Sequence, residues 1–171
     1  CLVFQRCILS YLQILMLSKG FIMTNIHHLI YAMSDALDLV GVDDINHGKR
    51  VAYMALECAN ELNMCNSDKV KLFHAALLHD CGVSSTLIHD KLVSTFDWKG
   101  AEDHCIRGYQ LLNLSPELRY LNNIILYHHT HYDVLKKMNV DKETALMSNL
   151  IFMVDRVDAL TAQYLSKKTD I

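Results

Sequence analysis

Residues 73–82 read FHAALLHDCG, and this stretch decides how the rest of the chain is read. An apolar run at helical spacing ends in two adjacent polar side chains, His79 and Asp80, before Gly82 breaks the pattern. Val70, Phe73 and Leu77 lead toward Asp80, while Leu72 and Ala76 lead toward His79. Burying one unpaired neutral group costs roughly 1–3 kcal/mol, and a lone carboxylate costs far more. Asp80 therefore needs partners from elsewhere in the chain.

The same coincidence recurs outward from this stretch. His47 lies four residues ahead of Val51, on a face continued by Met54, Ala55, Cys58 and Leu62. His104 precedes Gly108, Leu111 and Leu112. Leu118, Leu121 and Ile125 run into His128, with His129 beside it. Ser148, Ile151 and Ala159 share a face with Asp155. A single His on an apolar face is ordinarily a satisfied core residue. Five helices carrying such residues in one small domain are satisfied together by a shared metal cluster, because imidazole and carboxylate lone pairs converge on an ion. Neighbours on a helix project about 100° apart. Adjacent pairs such as His79-Asp80 and His128-His129 can thus straddle two metal positions, and a carboxylate can bridge them.

The remaining histidines carry plainer expectations. His27 and His28 read as surface or cap residues, and His74 as structural. His89 and His131 lie nearer the expected site and are candidates to touch substrate.

The surrounding pattern is helical, with one Pro, six Gly and no alternating run long enough for a strand. Helices are expected at 25–39, 47–64, 68–80, 99–113, 117–129 and 142–165, an all-α bundle of about six to seven helices. Asn66 or Ser67 is expected to cap the third, and Ser115-Pro116 to open the fifth. Residues 81–98 form the longest irregular piece, of a length usually kept for function. A length of 171 residues suits one domain, and 51% hydrophobic content excludes a disordered chain. A net charge of −3 excludes a general binder of duplex nucleic acid or anionic membranes. Six cysteines without a CxxC pair read as the reduced thiols of a cytoplasmic protein. The apolar run 7–17 is too short to span a bilayer, which takes about 20 residues. Residues 1–22 are expected to be an N-terminal extension, non-native or the tail of a preceding region, with a docking or membrane-proximal helix as the alternative. Residues 23–171 are expected to be the domain, with a C-terminus that continues in the native protein.

The order H…HD…H…HH…D resembles the HD superfamily of metal-dependent phosphohydrolases, and within it the HD-GYP branch of cyclic di-GMP phosphodiesterases. The resemblance spans about residues 25–162, through HGKRVAYMALECA (47–59), FHAALLHDCG (73–82), HCIRGYQLL (104–112), IILYHHTHYD (124–133) and IFMVDRVDALT (151–161). It implies an HD-domain bundle around two divalent ions. One would be held by His47, His79, Asp80 and Asp155, the other by Asp80, His104, His128 and His129. Asp80 would bridge the two and, with His79, serve catalysis. Asp43, four residues before His47, would fill the position that holds a third metal in some members. Iron or manganese is the implied metal, and five imidazoles with two carboxylates also admit zinc or cobalt.

Two departures bear on substrate. The Lys that usually follows HDxG is Val83 here, and the GYP stretch is replaced by HHTHYDVLKKM. Arg50, Lys91 and Arg107 are candidate replacements for the lost phosphate contact, and His131 or Lys91 could supply a general acid. Two metals suit phosphodiester hydrolysis because they lower the pKa of a bridging water and neutralise phosphate charge. The leading expectation is hydrolysis of a cyclic dinucleotide, cyclic di-GMP first, by a metal-bridged hydroxide. The alternatives are a phosphohydrolase of another nucleotide and a catalytically weak signalling module. A fused or partner signalling domain and a homodimer are the expected associations.

Overall fold

A computed structural model describes residues 25–39, 46–83 and 101–168. Asp43, His89, Lys91, the extension 1–22 and most of the irregular piece 81–98 lie outside the described residues. Seven α-helices and no strand are present among the described residues: α1 (Ile26–Leu39), α2 (His47–Glu61), α3 (Asn66–Leu77), α4 (Ala101–Asn113), α5 (Asn122–Tyr127), α6 (Tyr132–Lys137) and α7 (Lys142–Lys168). A 3-10 turn, Arg119–Leu121, leads into α5. This is the all-α bundle that the periodicity implies. No helix among the described residues is long and apolar enough to cross a membrane.

The centre of the bundle is α3. Leu72, Ala75, Ala76, Leu77 and Leu78 are all buried. The face that α2 buries is built from small residues, Ala52, Ala55 and Ala59. Gly48 belongs to the same contact, since a Cβ there would stand 3.1 Å from the Leu77 carbonyl oxygen. Small side chains let α2 lie close along α3, and α7 packs against α2 and α5. Each fully buried Leu or Ile contributes about 1.5–3 kcal/mol over leaving it exposed.

Three helices have boundaries that differ from expectation, each for a local reason. The second helix stops at Glu61 instead of 64, because Asn63 takes a left-handed φ of 52°. The Met64 and Asn63 N–H groups then close back on the carbonyls of Ala59 and Asn60. The third helix begins at Asn66, so Cys65 is its N-cap rather than Asn66 or Ser67, and it ends at Leu77 instead of 80. The fifth is shorter than 117–129. Ser115 turns its hydroxyl to Glu117 at 2.8 Å, the chain makes the 3-10 turn, and the α-helix ends at Tyr127. His79-Asp80 and His128-His129 therefore sit in turns just past helix ends and not on helices. The short α6 has no counterpart in the sequence reading.

His74, on α3, behaves as a structural residue. It is 2% exposed and links three elements: one ring nitrogen meets His27 Nδ1 at 2.7 Å, the other meets the Tyr120 hydroxyl at 2.6 Å. His27 is thus exposed yet tied to the core, more than the cap or surface residue its position suggested. Burial, and then the charge of His27, hold the His74 pKa down to about 4. The unfolded chain takes up this proton near pH 6.5 and the folded chain only near 4. Stability should therefore fall as pH drops across that window, by up to about 3 kcal/mol from this group. Urea denaturation at pH 7 and about 4.5 should show a smaller acid loss for His74→Gln than for the parent chain. Equal losses would show that His74 does not carry the effect.

Candidate metal centre

The two turns use one device to aim their histidines. His79 Nδ1 donates to the Ala76 carbonyl at 2.8 Å, and His128 Nδ1 donates to the Ile125 carbonyl at 2.7 Å. A carbonyl only accepts, so in each neutral ring the proton is on Nδ1 and the Nε2 lone pair faces inward. His47, at the start of α2, reaches the same state through a side chain. Its Nδ1 donates to Asp158 Oδ2 at 2.7 Å. Asp158 lies on α7 and is gripped on its other side by Arg50, Nε to Oδ1 and Nη2 to Oδ2, both at 2.7 Å. Against burial, the hydrogen bonds from His47 and Arg50 keep the Asp158 carboxyl far below the usual carboxylate range.

Four elements are drawn together around Asp80. His47 Nε2 lies 3.3 Å from His79 Nε2, and His104 Nε2 lies 3.2 Å from His128 Nε2. The Asp80 carboxylate stands between these pairs. Its Oδ2 is 3.1 Å from His79 Nε2 and 3.8 Å from His47 Nε2. Its Oδ1 is 3.3 Å from His104 Nε2 and 3.8 Å from His128 Nε2. Asp155 Oδ1 closes the first pair, 3.4 Å from His47 Nε2 and 3.8 Å from His79 Nε2. Two sets of donor atoms result, each confined within 4.8 Å: His47, His79 and Asp80, and Asp80, His104, His128 and His129. Asp80 belongs to both.

Backbone contact makes this convergence possible. A Cβ on Gly82 would fall 1.9 Å from the His104 carbonyl oxygen. The turn carrying Asp80 therefore lies directly on α4, and Arg107 Nε fastens it by donating to the Gly82 carbonyl at 2.8 Å. Only glycine permits that approach.

These residues fit divalent ions. Lone pairs of His47 and His79 confront each other at 3.3 Å with both Nδ1 protons committed elsewhere. Such a pair repels unless a cation or an extra proton lies between. Asp80 Oδ1 is fully buried and no donor is aligned on it, an arrangement that is costly without a cation. All seven donors are imidazole or carboxylate, a set matched to iron, manganese, zinc or cobalt. In the protein alone, burial opposes charge on Asp80, yet the neighbouring His79 charge, aided by His104 and His128, pulls its carboxyl well below the normal range. Burial, and then the charges of His128 and His104, push the His129 pKa well down, which keeps that ring neutral.

The candidate substrate contacts are placed unevenly. Arg50 is engaged with Asp158 and Arg107 with the Gly82 carbonyl, so both stand beside the cluster as braces. His131 is exposed at its edge, with its ring 5.5 Å from that of Phe152. Val83, in the position of the missing Lys, is buried. Asp158 was not singled out from the sequence. Its signal was the spacing of three from Asp155 in DRVD, which puts both carboxylates on one helix face.

The helical bundle thus gathers five histidines and two aspartates, Asp80 at their centre, into one candidate metal-binding cluster. The HD domain model matches residues 44–162, and the chain belongs to that family. Two curated relatives come from Vibrio cholerae serotype O1. The 3′3′-cGAMP-specific phosphodiesterase 1 is 39% identical over 140 residues, covering 82% of this chain and 32% of the relative. The 3′3′-cGAMP-specific phosphodiesterase 3 is 28% identical over 143 residues, covering 79% and 31%. The chain thus spans about a third of the length of these relatives. No solved structure matches.

Asp158→Asn should test the brace. It keeps the shape but removes the charge that orients His47, and manganese affinity at the His47 position should fall about 10–100-fold by calorimetry. Asp80→Ala should abolish binding of both ions, whereas His74→Ala should bind as the parent does.

Proposed function

We propose that this chain is the phosphodiesterase domain of a protein that opens a 3′3′-cyclic dinucleotide to its linear form. The observation that carries this reading is Asp80, buried, with one carboxylate oxygen turned to each histidine pair. His47, His79, Asp80 and Asp155, and Asp80, His104, His128 and His129, would hold two divalent ions, which when bound would supply water activation and charge neutralisation for in-line displacement at phosphorus. Asp80 sets the spacing between the two positions. Asp158 and the Ala76 and Ile125 carbonyls fix which ring nitrogens face inward. A chain of net charge −3 would accept an anionic substrate through the local positive field that bound ions would provide.

The names of the two relatives put 3′3′-cGAMP ahead of cyclic di-GMP as the substrate. Iron and manganese are the ions to try first. His131 and Lys91 are the candidates to protonate the leaving oxygen. A phosphohydrolase of a different nucleotide is the second reading, favoured by buried Val83 where a phosphate-reaching Lys was expected.

The test is turnover by anaerobically purified protein, loaded with iron or manganese. Assayed side by side are 3′3′-cGAMP, cyclic di-GMP, a linear dinucleotide and bis(p-nitrophenyl) phosphate. The expected result is ring opening of 3′3′-cGAMP fastest, lost in Asp80→Ala. Two ions per chain with no cyclic dinucleotide cleaved would overturn the reading.

A further inference from the structure

The long helix α7 has two unlike faces. Met147, Ile151, Val154, Asp155 and Asp158 are buried in the bundle. From Leu146 to Thr161 the exposed residues are Leu146, Met153, Val157, Leu160 and Thr161, so no charged side chain stands out over about four turns. The four apolar ones are between 37% and 48% exposed. With the buried Leu150 they fall at 146, 150, 153, 157 and 160, in alternating steps of four and three.

This seam runs beside α2. Asp158 meets His47 and Arg50 at the start of α2, and Leu150 and Met153 share a groove with Leu62 just past its end, so the two helices are antiparallel. Tyr53 and Leu62 add exposed apolar surface from the α2 side. A solitary exposed Leu needs no explanation, but a helix face that meets water normally carries charges. A contiguous apolar strip marks a contact surface.

We propose that this α2–α7 face binds a second copy of the chain, with the two α7 helices antiparallel about a two-fold axis between Met153 and Val157. Steps of four and three repeat every seven residues, the period that keeps one helix packed along another, so the occupant is a helix. Three features favour the same helix of a second copy. The first is that a seam without exposed charge brings no like charges together when it faces itself. Antiparallel pairing sets Met153 of each copy against Val157 of the other, and Leu150 against Leu160, so every layer is apolar. The second is the rim on α2, where Glu57 and Glu61 lie at one end of the groove and Lys49 and Arg50 at the other. The two-fold brings these unlike ends together. Asp35 and Asp158 already engage the two cations, which leaves most of the affinity to the apolar seam.

The third feature is size. The 15 residues of α2 extend about 22 Å, and two helices side by side are about 20 Å across. That footprint suits a two-fold interface at the small end of the stable range. Because α7 carries Asp155 and Asp158 on its other face, pairing would also steady the helix that serves the metal centre.

The test is sedimentation velocity on the whole chain from about 1 to 100 µM. The parent should pass from one chain to two across that range. Met153→Glu and Val157→Lys each put a charge into the central layers and should raise the dimer Kd at least about 100-fold. Ile106→Glu, at an exposed apolar position on α4, should leave it unchanged. Mixing the Met153→Glu and Val157→Lys chains should restore a dimer, since the two new charges then face each other, and misfolded chains would not recover. Hydroxyl-radical oxidation of Met153 should slow as the parent concentration rises. A parent that stays a single chain throughout would overturn the proposal, as would a dimer that both variants keep or a mixture that does not recover. Protection of Met153 that is independent of concentration would also overturn it, and would give the seam to a segment of the same chain.

Discussion

The structure turns on one buried carboxylate. Asp80 stands between two pairs of histidines whose Nε2 atoms face each other, and each of its oxygens belongs to a different pair. In a low-dielectric interior this grouping holds together only when positive charge joins it, because facing lone pairs and an unmatched carboxylate oxygen otherwise repel or go unsolvated. The rest of the bundle serves that requirement. Small residues bring α2 against α3, and Gly82 lets the Asp80 turn rest on the α4 backbone. The long α7 then delivers Asp155, Arg156 and Asp158 to the same place.

Orientation is enforced by an outer layer as much as by the donors themselves. His79 and His128 are set by carbonyls three residues back, and His47 by a carboxylate that Arg50 in turn holds. Both arrangements settle the tautomer before any ion arrives, so a bound ion meets lone pairs already aimed. The arginines divide their labour along the same lines. Arg50 braces Asp158, the partner of His47, and Arg107 braces the turn that carries Asp80.

Much of this was legible in the sequence because its signals are local and periodic. Helical spacing disclosed the bundle, and histidines at the ends of apolar stripes disclosed which side chains converge. What escaped depends on where helices stop and on contacts between distant segments. The third helix ends at Leu77 because the chain turns there to carry His79-Asp80 onto α4, a contact that no spacing rule encodes. Asp158 was hidden because its partners, His47 and Arg50, lie 111 and 108 residues away. Arg50 and Arg107 looked like spare cations for the reason that sequence shows a charge without its counter-charge. Asp43 and Lys91 stay as expectations, outside the described residues.

Whether Asp80 joins two ions into one centre is open to direct observation. Crystals grown with manganese and measured at its absorption edge test this most directly. Two anomalous peaks are expected with Asp80 touching both, one peak against His47, His79 and Asp155, the other against His104, His128 and His129. Absence of any peak in the cluster, or a single peak that Asp80 does not touch, would contradict it.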